Sequence, residues 1–214
     1  MEEGDSVVGA AFSGYLLGSV PTAYFLGRWL KGIDIRLVGS RNMGSLNVFR
    51  ILGPFWGIMT FLIDAGKGVL AVALARWSNW SDWGIVLAGL MAVAGHNWPL
   101  FLGFRGGKGA ATSLGVIAAT APHPELAVFL GVIITIYLVT RNISFGLGVA
   151  FIVLPLLNMH LARSRELVML SWALVVMMTI RLGTSIREVR EAACGSFRRF
   201  LKYTIYGVPK ELRH

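Results

Sequence analysis

Long apolar stretches alternate with short polar segments along almost the whole chain. A helix needs roughly 20 residues to cross the hydrocarbon core of a bilayer. The apolar stretches cover residues 7–30, 53–77, 83–104, 110–121, 126–140, 143–161 and 166–182. This pattern predicts an all-α, polytopic membrane protein with about seven transmembrane helices. Because the fourth and fifth stretches are short, five crossings are the alternative.

Composition supports the membrane prediction. Of the 214 residues, 55% are hydrophobic and only 14% are charged, and a soluble domain of this size cannot bury so much apolar surface. The net charge is +9, but no zinc-finger spacing or aromatic RNA-binding motif accompanies it, so we expect membrane lipid and no nucleic acid as a partner. The acidic start MEEGDS lacks the basic region of a cleavable signal peptide, so the first apolar segment is expected to stay as an anchor.

Lysines and arginines predict the orientation. With seven crossings, most of them fall on one side, which the positive-inside rule makes cytoplasmic. The N-terminus then lies outside and the C-terminus in the cytoplasm, while Arg163 and Arg165 are exceptions on a predicted outer loop. We predict one transmembrane helical domain over residues 1–185, with its active site on the cytoplasmic face, and a basic cytoplasmic tail over 186–214.

The first polar segment, GSRNMGSLNVFR, covers residues 39–50. Exposed N–H groups next to arginines suit an anion, especially a phosphate, and glycine lets the backbone approach the ligand closely. The alternative is a basic loop that serves topology alone. The candidate residues in this loop are Ser40, Asn42, Gly44, Asn47 and Arg50.

The second polar segment, GHNWPLFLGFRGGKGAATS, covers residues 95–113. It is not a nucleotide P-loop, because Lys108 is followed by Gly109 instead of serine or threonine and the glycine spacing differs. Lys108 and the N-terminus of the following helix favour an anion site, whereas a simple flexible turn is the alternative. His96 is expected to be a hydrogen-bonded packing residue within reach of the pocket.

Two charged residues lie inside the second apolar stretch. Inserting an isolated charge at the centre of a membrane helix costs about 2.5–3.5 kcal/mol. Asp64 and Lys67 lie three residues apart and so share one helix face, and we predict that they pair there. This pair can be structural or catalytic, and both interpretations remain open.

The sequence lacks three patterns that would indicate other chemistry. The aspartates form no cluster for Mg²⁺, and zinc spacing is absent. No histidine is followed five residues later by aspartate, as acyl-CoA-dependent glycerolipid acyltransferases require. We therefore expect no metal and no cofactor.

Four motifs together closely resemble the acyl-phosphate-dependent glycerol-3-phosphate acyltransferases of bacteria. They are GSVPTAYFLGRWLKGIDIRLVGSRNMGSLNVFRILG (18–53), DAGKG (64–68), GHNWPLFLGFRGGKGAATSLG (95–115) and TRNIS (140–144). The resemblance implies a multi-helix inner-membrane enzyme that acylates the 1-hydroxyl of glycerol 3-phosphate with a fatty acyl phosphate. Lysophosphatidic acid and phosphate would be the products, and the enzyme that forms acyl phosphate would be a functional partner.

The resemblance also implies two sets of site residues. The glycine loop would hold the phosphate of glycerol 3-phosphate, and the first polar loop would form a second anion pocket. The catalytic set is Ser40, Arg50, Lys108 and Ser144. The substrate-binding set is Asn42, Gly44, Asn47, His96, Gly106, Gly107 and Gly109.

The chain departs from the family pattern in two motifs. The family usually reads GSGNIGATN where this chain has Arg41 and Leu46, and it reads HREN where this chain has IREV, with Ile186 and Val189 replacing histidine and asparagine. Two alternatives to the enzyme follow. One is a divergent membrane protein, non-catalytic or of altered specificity, that binds or translocates a phosphorylated lipid. The other is an inactive homologue that acts as a partner in lipid synthesis.

Overall fold

The computed structural model describes residues 3–192, and this part of the chain is helical with no strand. The all-α prediction is therefore confirmed for these residues. Two short 3-10 turns, Ile35–Leu37 and Leu100–Leu102, lie in the polar loops. The α-helices are α1 (Glu3–Gly18), α2 (Thr22–Lys31), α3 (Ser45–Leu52), α4 (Pro54–Trp77), α5 (Asp82–Asn97), α6 (Ala110–Thr120), α7 (His123–Thr140), α8 (Ile143–His160) and α9 (Arg165–Ala192).

Four segments of the described chain are long and apolar enough to cross a bilayer by length and composition. The remaining helices are shorter or less apolar, so the number of crossings stays a prediction. Helix α6 is as short as its sequence suggests, whereas α7 begins at His123, earlier than predicted. The four segments are Pro54–Trp77, Asp82–Leu102, His123–Thr140 and Ile143–His160.

The first apolar stretch differs from its prediction. Residues 7–30 read as one continuous span, but the chain leaves the helix after Gly18 and starts a new one at Thr22. Pro21 explains the break, because proline lacks a backbone N–H and excludes the residue before it from helical conformation. The break leaves polar backbone groups inside an otherwise apolar region, among them the carbonyl of Val20.

Small residues bring α1 against α5 with their backbones almost in contact. A side chain added at Gly14 would collide with the carbonyl of Ala88, and one added at Gly18 would collide with that of Ala92. From Gly14 to Gly18 along α1, the contacted residue of α5 changes from Ala88 to Ala92, so the two helices run in the same direction. Close packing of this kind replaces the hydrophobic effect as the main attraction between helices in lipid.

Arg163, one of the exceptions to the predicted orientation, forms an ion pair with a buried glutamate. Glu125, in the first turn of α7, is fully buried, and its Oε1 accepts a hydrogen bond from Nε of Arg163 in the α8–α9 connection. The pair brings the two charges together and joins the start of α7 to the α8–α9 connection. Below them, Phe129 and Phe151 pack edge to face with their centroids 5.2 Å apart, which fixes α7 to α8.

The predicted tail falls largely outside the described residues. Helix α9 continues to Ala192, but the side chains beyond Arg181 and all residues from 193 onward lie outside the described part. The expectations for Ile186, Val189 and the basic tail over 186–214 therefore remain predictions.

Candidate active site

One buried side chain holds the first polar loop together. Asn47, which is 1% exposed, donates from Nδ2 to the carbonyls of Ile35, Val38 and Asn42 at 3.2, 3.1 and 3.0 Å. Its Oδ1 accepts from the backbone N–H of Ser40 at 2.9 Å. Both ends of the amide are therefore bound to the loop backbone. The amide supports the loop from beneath and gives it a defined shape.

An ion pair attaches this loop to the second one. Asp34 caps the 3-10 turn by accepting from the N–H of Arg36 at 3.0 Å, and the two side chains form an ion pair of 2.8 Å. Arg36 also donates to the carbonyl of Leu102 at 3.1 Å and lies 5.2 Å from the centroid of the Tyr24 ring. The hydrogen bond from Arg36 holds the pKa of Asp34 below its usual value.

Several of the predicted polar residues of the first loop are exposed or half-buried. Ser40 and Arg50 are exposed, and Arg50 lies in the last turn of α3. Arg41 has a φ of 57°, in the left-handed region that favours glycine. Asn42 lies beside Gly44, the residue that precedes α3. The loop thus presents a serine and two arginines around a backbone turn.

The glycine loop is fixed to the end of α5. The N–H groups of Gly106 and Gly107 donate to the carbonyls of Asn97 and His96 at 3.2 and 3.0 Å. A side chain at Gly107 would overlap the His96 imidazole, so only glycine fits there. The loop amides are therefore used to bind α5, which leaves the first turn of α6 as the group of N–H donors beyond them. Lys108, which is half-buried, lies two residues before α6 begins.

Arg181 binds the same loop from the opposite side. Its Nε and Nη2 donate to the carbonyls of Gly107 and Gly106, both at 2.9 Å. Its guanidinium lies 5.9 Å from the centroid of the Trp98 ring. Sequence reasoning missed this residue because it stands at the end of the last apolar stretch, 74 residues from Gly107, without a local motif.

The predicted pairing of Asp64 with Lys67 is confirmed. Lys67 Nζ lies 2.6 Å from Asp64 Oδ1, and both side chains are less than one-tenth exposed. The ammonium also donates to Thr22 Oγ1 at 2.7 Å and to the carbonyl of Val20. His96 Nδ1 lies 3.8 Å from the same carboxylate oxygen. The pair thus binds the polar groups left by the break between α1 and α2, which is a structural task.

These elements surround a small pocket. Met43 of the first loop, Pro99 of the second, and Asp64 and His96 all line it. So does Ser19, whose Oγ is buried and has no hydrogen-bond partner among the described residues. The two polar loops and the helix break therefore converge at one place.

None of the four predicted catalytic residues is among those that line this pocket. Ser144 is exposed in the first turn of α8, after an α7–α8 turn capped by Asn142, whose Oδ1 accepts from Phe145 N–H at 3.1 Å. Helix order alone puts this turn at the same end of the bundle as the polar loops. Within the described residues, no group of three or more histidine, cysteine, aspartate or glutamate side chains is placed to hold a metal.

Comparison with protein families gives one clear match. A family model described as "Glycerol-3-phosphate acyltransferase" matches residues 8–192. A protein of Parasynechococcus marenigrum named glycerol-3-phosphate acyltransferase is 44% identical over 176 residues, which cover 82% of each chain. A Dehalococcoides mccartyi protein named glycerol-3-phosphate acyltransferase 2 is 42% identical over 158 residues, or 72% of this chain and 74% of the relative.

Solved structures give the same match in three dimensions. A crystal structure of PlsY (YgiH), described as an integral membrane glycerol 3-phosphate acyltransferase in its glycerol 3-phosphate form, superposes with a TM-score of 0.77 at 32% identity. That match covers 89% of this chain and 94% of the other. The lysophosphatidic acid form superposes with a TM-score of 0.75 at 30% identity, over 92% and 98% of the two chains.

Proposed function

This chain belongs to the glycerol-3-phosphate acyltransferase family, and on that premise we propose that it transfers a fatty acyl group from an acyl phosphate to the 1-hydroxyl of glycerol 3-phosphate. The protein is a multi-pass membrane acyltransferase of phospholipid biosynthesis. Lysophosphatidic acid and inorganic phosphate are the proposed products. Structures of PlsY in glycerol 3-phosphate and lysophosphatidic acid forms support this acceptor and this product.

The convergence of the two polar loops is the observation that carries the proposal. Arg36 joins them through the carbonyl of Leu102, and Met43 and Pro99 line one pocket. A reaction between two phosphorylated substrates needs two anion sites next to each other. Two basic loops that meet at one end of an apolar bundle provide that arrangement, with the acyl chain in the surrounding lipid.

We assign the phosphate of glycerol 3-phosphate to the start of α6. Lys108 supplies positive charge there, and the N–H groups of the first helical turn supply donors. Gly109, with a φ of 76°, turns the chain into that helix. Because the amides of Gly106 and Gly107 are bound to α5, we assign these two residues to shaping the loop.

We assign the acyl phosphate to the first loop. Arg50 and Ser40 are both exposed, and a guanidinium pairs with a phosphate through two parallel hydrogen bonds. Asn47 gives the loop its shape, and we expect Asn42 and Gly44 to complete the anion pocket. Ser144 lies at the same end of the bundle and is assigned to the rim of the site.

The proposed reaction needs positioning more than a strong nucleophile, because an acyl phosphate is an activated mixed anhydride. The 1-hydroxyl oxygen attacks the acyl carbon and forms the ester bond. The bond between the acyl carbon and the phosphate oxygen breaks, and phosphate leaves with the electron pair. The departing phosphate takes the hydroxyl proton, so no side chain acts as general base.

The proposal includes the place of the enzyme in the cell. We place it in the bacterial inner membrane with the N-terminus outside and the polar loops in the cytoplasm, as the positive-inside rule predicts. Both phosphorylated substrates are then reached from the cytoplasm. The enzyme that forms acyl phosphate supplies the donor.

A donor comparison tests this function. The purified protein in detergent receives glycerol 3-phosphate with either palmitoyl phosphate or palmitoyl-CoA. We expect lysophosphatidic acid only from palmitoyl phosphate. We also expect the product to disappear in Arg50→Ala and to persist in Arg76→Ala, a matched change at an exposed arginine in the last turn of α4.

Each other result has a defined meaning. Product from palmitoyl-CoA alone would refute the donor assignment. No product from either donor by the folded protein would refute the transferase function. Binding of lysophosphatidic acid without turnover would then favour the non-catalytic lipid-binding protein.

A further inference from the structure

The glycine loop is attached to two helices that are far apart in the sequence. The N–H groups of Gly106 and Gly107 bind the end of α5, and their carbonyls accept from Arg181 of α9. Both glycines are buried, and glycine is the residue with the greatest backbone freedom. Four hydrogen bonds therefore fix a dipeptide that would otherwise adopt many conformations.

We propose that Arg181 is a positioning residue that holds the glycine loop in the shape that binds the phosphate of glycerol 3-phosphate. This inference rests on the function proposed above. Arg181 acts on the loop backbone, and Lys108 together with the first turn of α6 contacts the phosphate. The loop thus depends on α9, which no motif in the first 115 residues encodes.

An arginine is the side chain suited to this contact. Its planar guanidinium presents Nε and Nη2 side by side, which matches two carbonyls on adjacent residues. The Trp98 ring lies 5.9 Å from the guanidinium carbon and restricts its position. Lysine would keep the positive charge but offers a single nitrogen atom, so it cannot reproduce the paired contact.

Loss of Arg181 leaves two loop carbonyls without these donors. The glycine dipeptide then samples other conformations, and the path from Gly107 to Lys108 and the first turn of α6 is no longer fixed. The phosphate lies away from the reacting hydroxyl, so its binding contributes equally to the bound substrate and the transition state. Loss of such uniform binding raises KM and leaves kcat nearly unchanged.

Steady-state kinetics with palmitoyl phosphate test the inference. For Arg181→Met we expect KM for glycerol 3-phosphate to rise at least about tenfold, as loss of charge-assisted hydrogen bonds implies, with kcat within about twofold of wild type. For Arg181→Lys we expect the same rise. Arg76→Met and Arg76→Lys, matched changes at an exposed site in the last turn of α4, should leave KM unchanged.

Three results would overturn the inference. An unchanged KM in Arg181→Met would show that the loop does not need this residue. Recovery of KM in Arg181→Lys would show that the charge alone acts. A fall in kcat with an unchanged KM would place Arg181 in the chemical step. The lysine variant provides the same test if the methionine variant does not fold.

A binding measurement separates this inference from the proposed function. Glycerol 3-phosphate without donor should raise the thermal unfolding temperature of wild type, and this shift should be lost in Arg181→Met and retained in Arg76→Met. If wild type makes no product but shows the shift, the transferase proposal fails. The shifts of wild type and Arg181→Met can still be compared, and this comparison tests the role of Arg181. If the shift is equal in wild type and Arg181→Met, the inference fails whatever the activity.

Discussion

Replacement of Asn47 by aspartate removes the amide donors that hold the first polar loop and keeps the size of the side chain. In wild type, Nδ2 lies 3.0–3.2 Å from three carbonyl oxygens, those of Ile35, Val38 and Asn42. An ionised aspartate places a negative oxygen at that position. The contact changes from attractive to repulsive, while the hydrogen bond from the N–H of Ser40 is kept.

The expected loss of stability follows from these contacts. The amide has two N–H bonds, and each hydrogen bond contributes about 1 kcal/mol net, so their loss costs about 2 kcal/mol. Asn47 is 1% exposed, so the carboxylate is desolvated without a donor to replace water, which adds a further penalty of about 1–3 kcal/mol. We expect a total destabilisation of about 3–5 kcal/mol.

Unfolding in mixed micelles, followed by tryptophan fluorescence, measures this difference. Asn79→Asp is the matched control, because Asn79 is exposed in the α4–α5 connection and has a φ of 52°, which aspartate tolerates. We expect the control to change stability by less than about 0.5 kcal/mol. Acyl transfer should also fall in the Asn47 variant, since Ser40 and Arg50 depend on the loop. Equal stability of the two variants would refute the role of Asn47 as the centre of the loop.

Three further changes test other contacts. Arg41→Gly should stabilise the protein by up to about 1 kcal/mol, because glycine adopts the left-handed region without strain. The unfolding temperature should therefore rise, and a fall would contradict this. Since Arg36 lowers the pKa of Asp34, the stability that this carboxylate contributes is present above pH 3.8 and lost as the pH falls below it. Thermal unfolding of Asp34→Asn and wild type should therefore differ at pH 7 and converge in acid; a difference that grows in acid would reverse the sign. Lys67→Met should destabilise by roughly 3–5 kcal/mol, and Asp64→Asn in the same chain should restore much of it, whereas additive losses would show that the two residues do not interact.

Local patterns in the sequence predicted most of the long helices and one of the ion pairs, but the short helix α3 was read as part of the first polar loop. Hydropathy located α4, α6 and α8 to within one residue at each end. It missed the end of α5, which stops at Asn97 before the polar residues of the second loop, and the end of α9, which continues to Ala192 beyond the apolar stretch. The spacing of Asp64 and Lys67 was enough to predict their contact, since residues three apart share one face of a helix. The break at Pro21 was missed because an apolar count over residues 7–30 does not register a single missing N–H group.

Contacts between distant segments were beyond these patterns. Thr22 and the carbonyl of Val20 join Lys67 only because the helix breaks, and Arg36 reaches Leu102 across 66 positions. In the sequence, Arg181 only marks the end of an apolar stretch. Its contact with the glycine loop becomes visible in the structure, where α9 packs beside that loop. The polar loops were recognised from their glycines and arginines, but which amides face a ligand and which bind α5 depends on tertiary packing.

The ratio of products tests the central claim most directly. Purified wild-type protein with palmitoyl phosphate and labelled glycerol 3-phosphate should form lysophosphatidic acid and inorganic phosphate in equal amounts, with neither formed by Arg50→Ala. Phosphate release without lysophosphatidic acid would mean that the protein hydrolyses the donor, and absence of both products would contradict the transferase assignment.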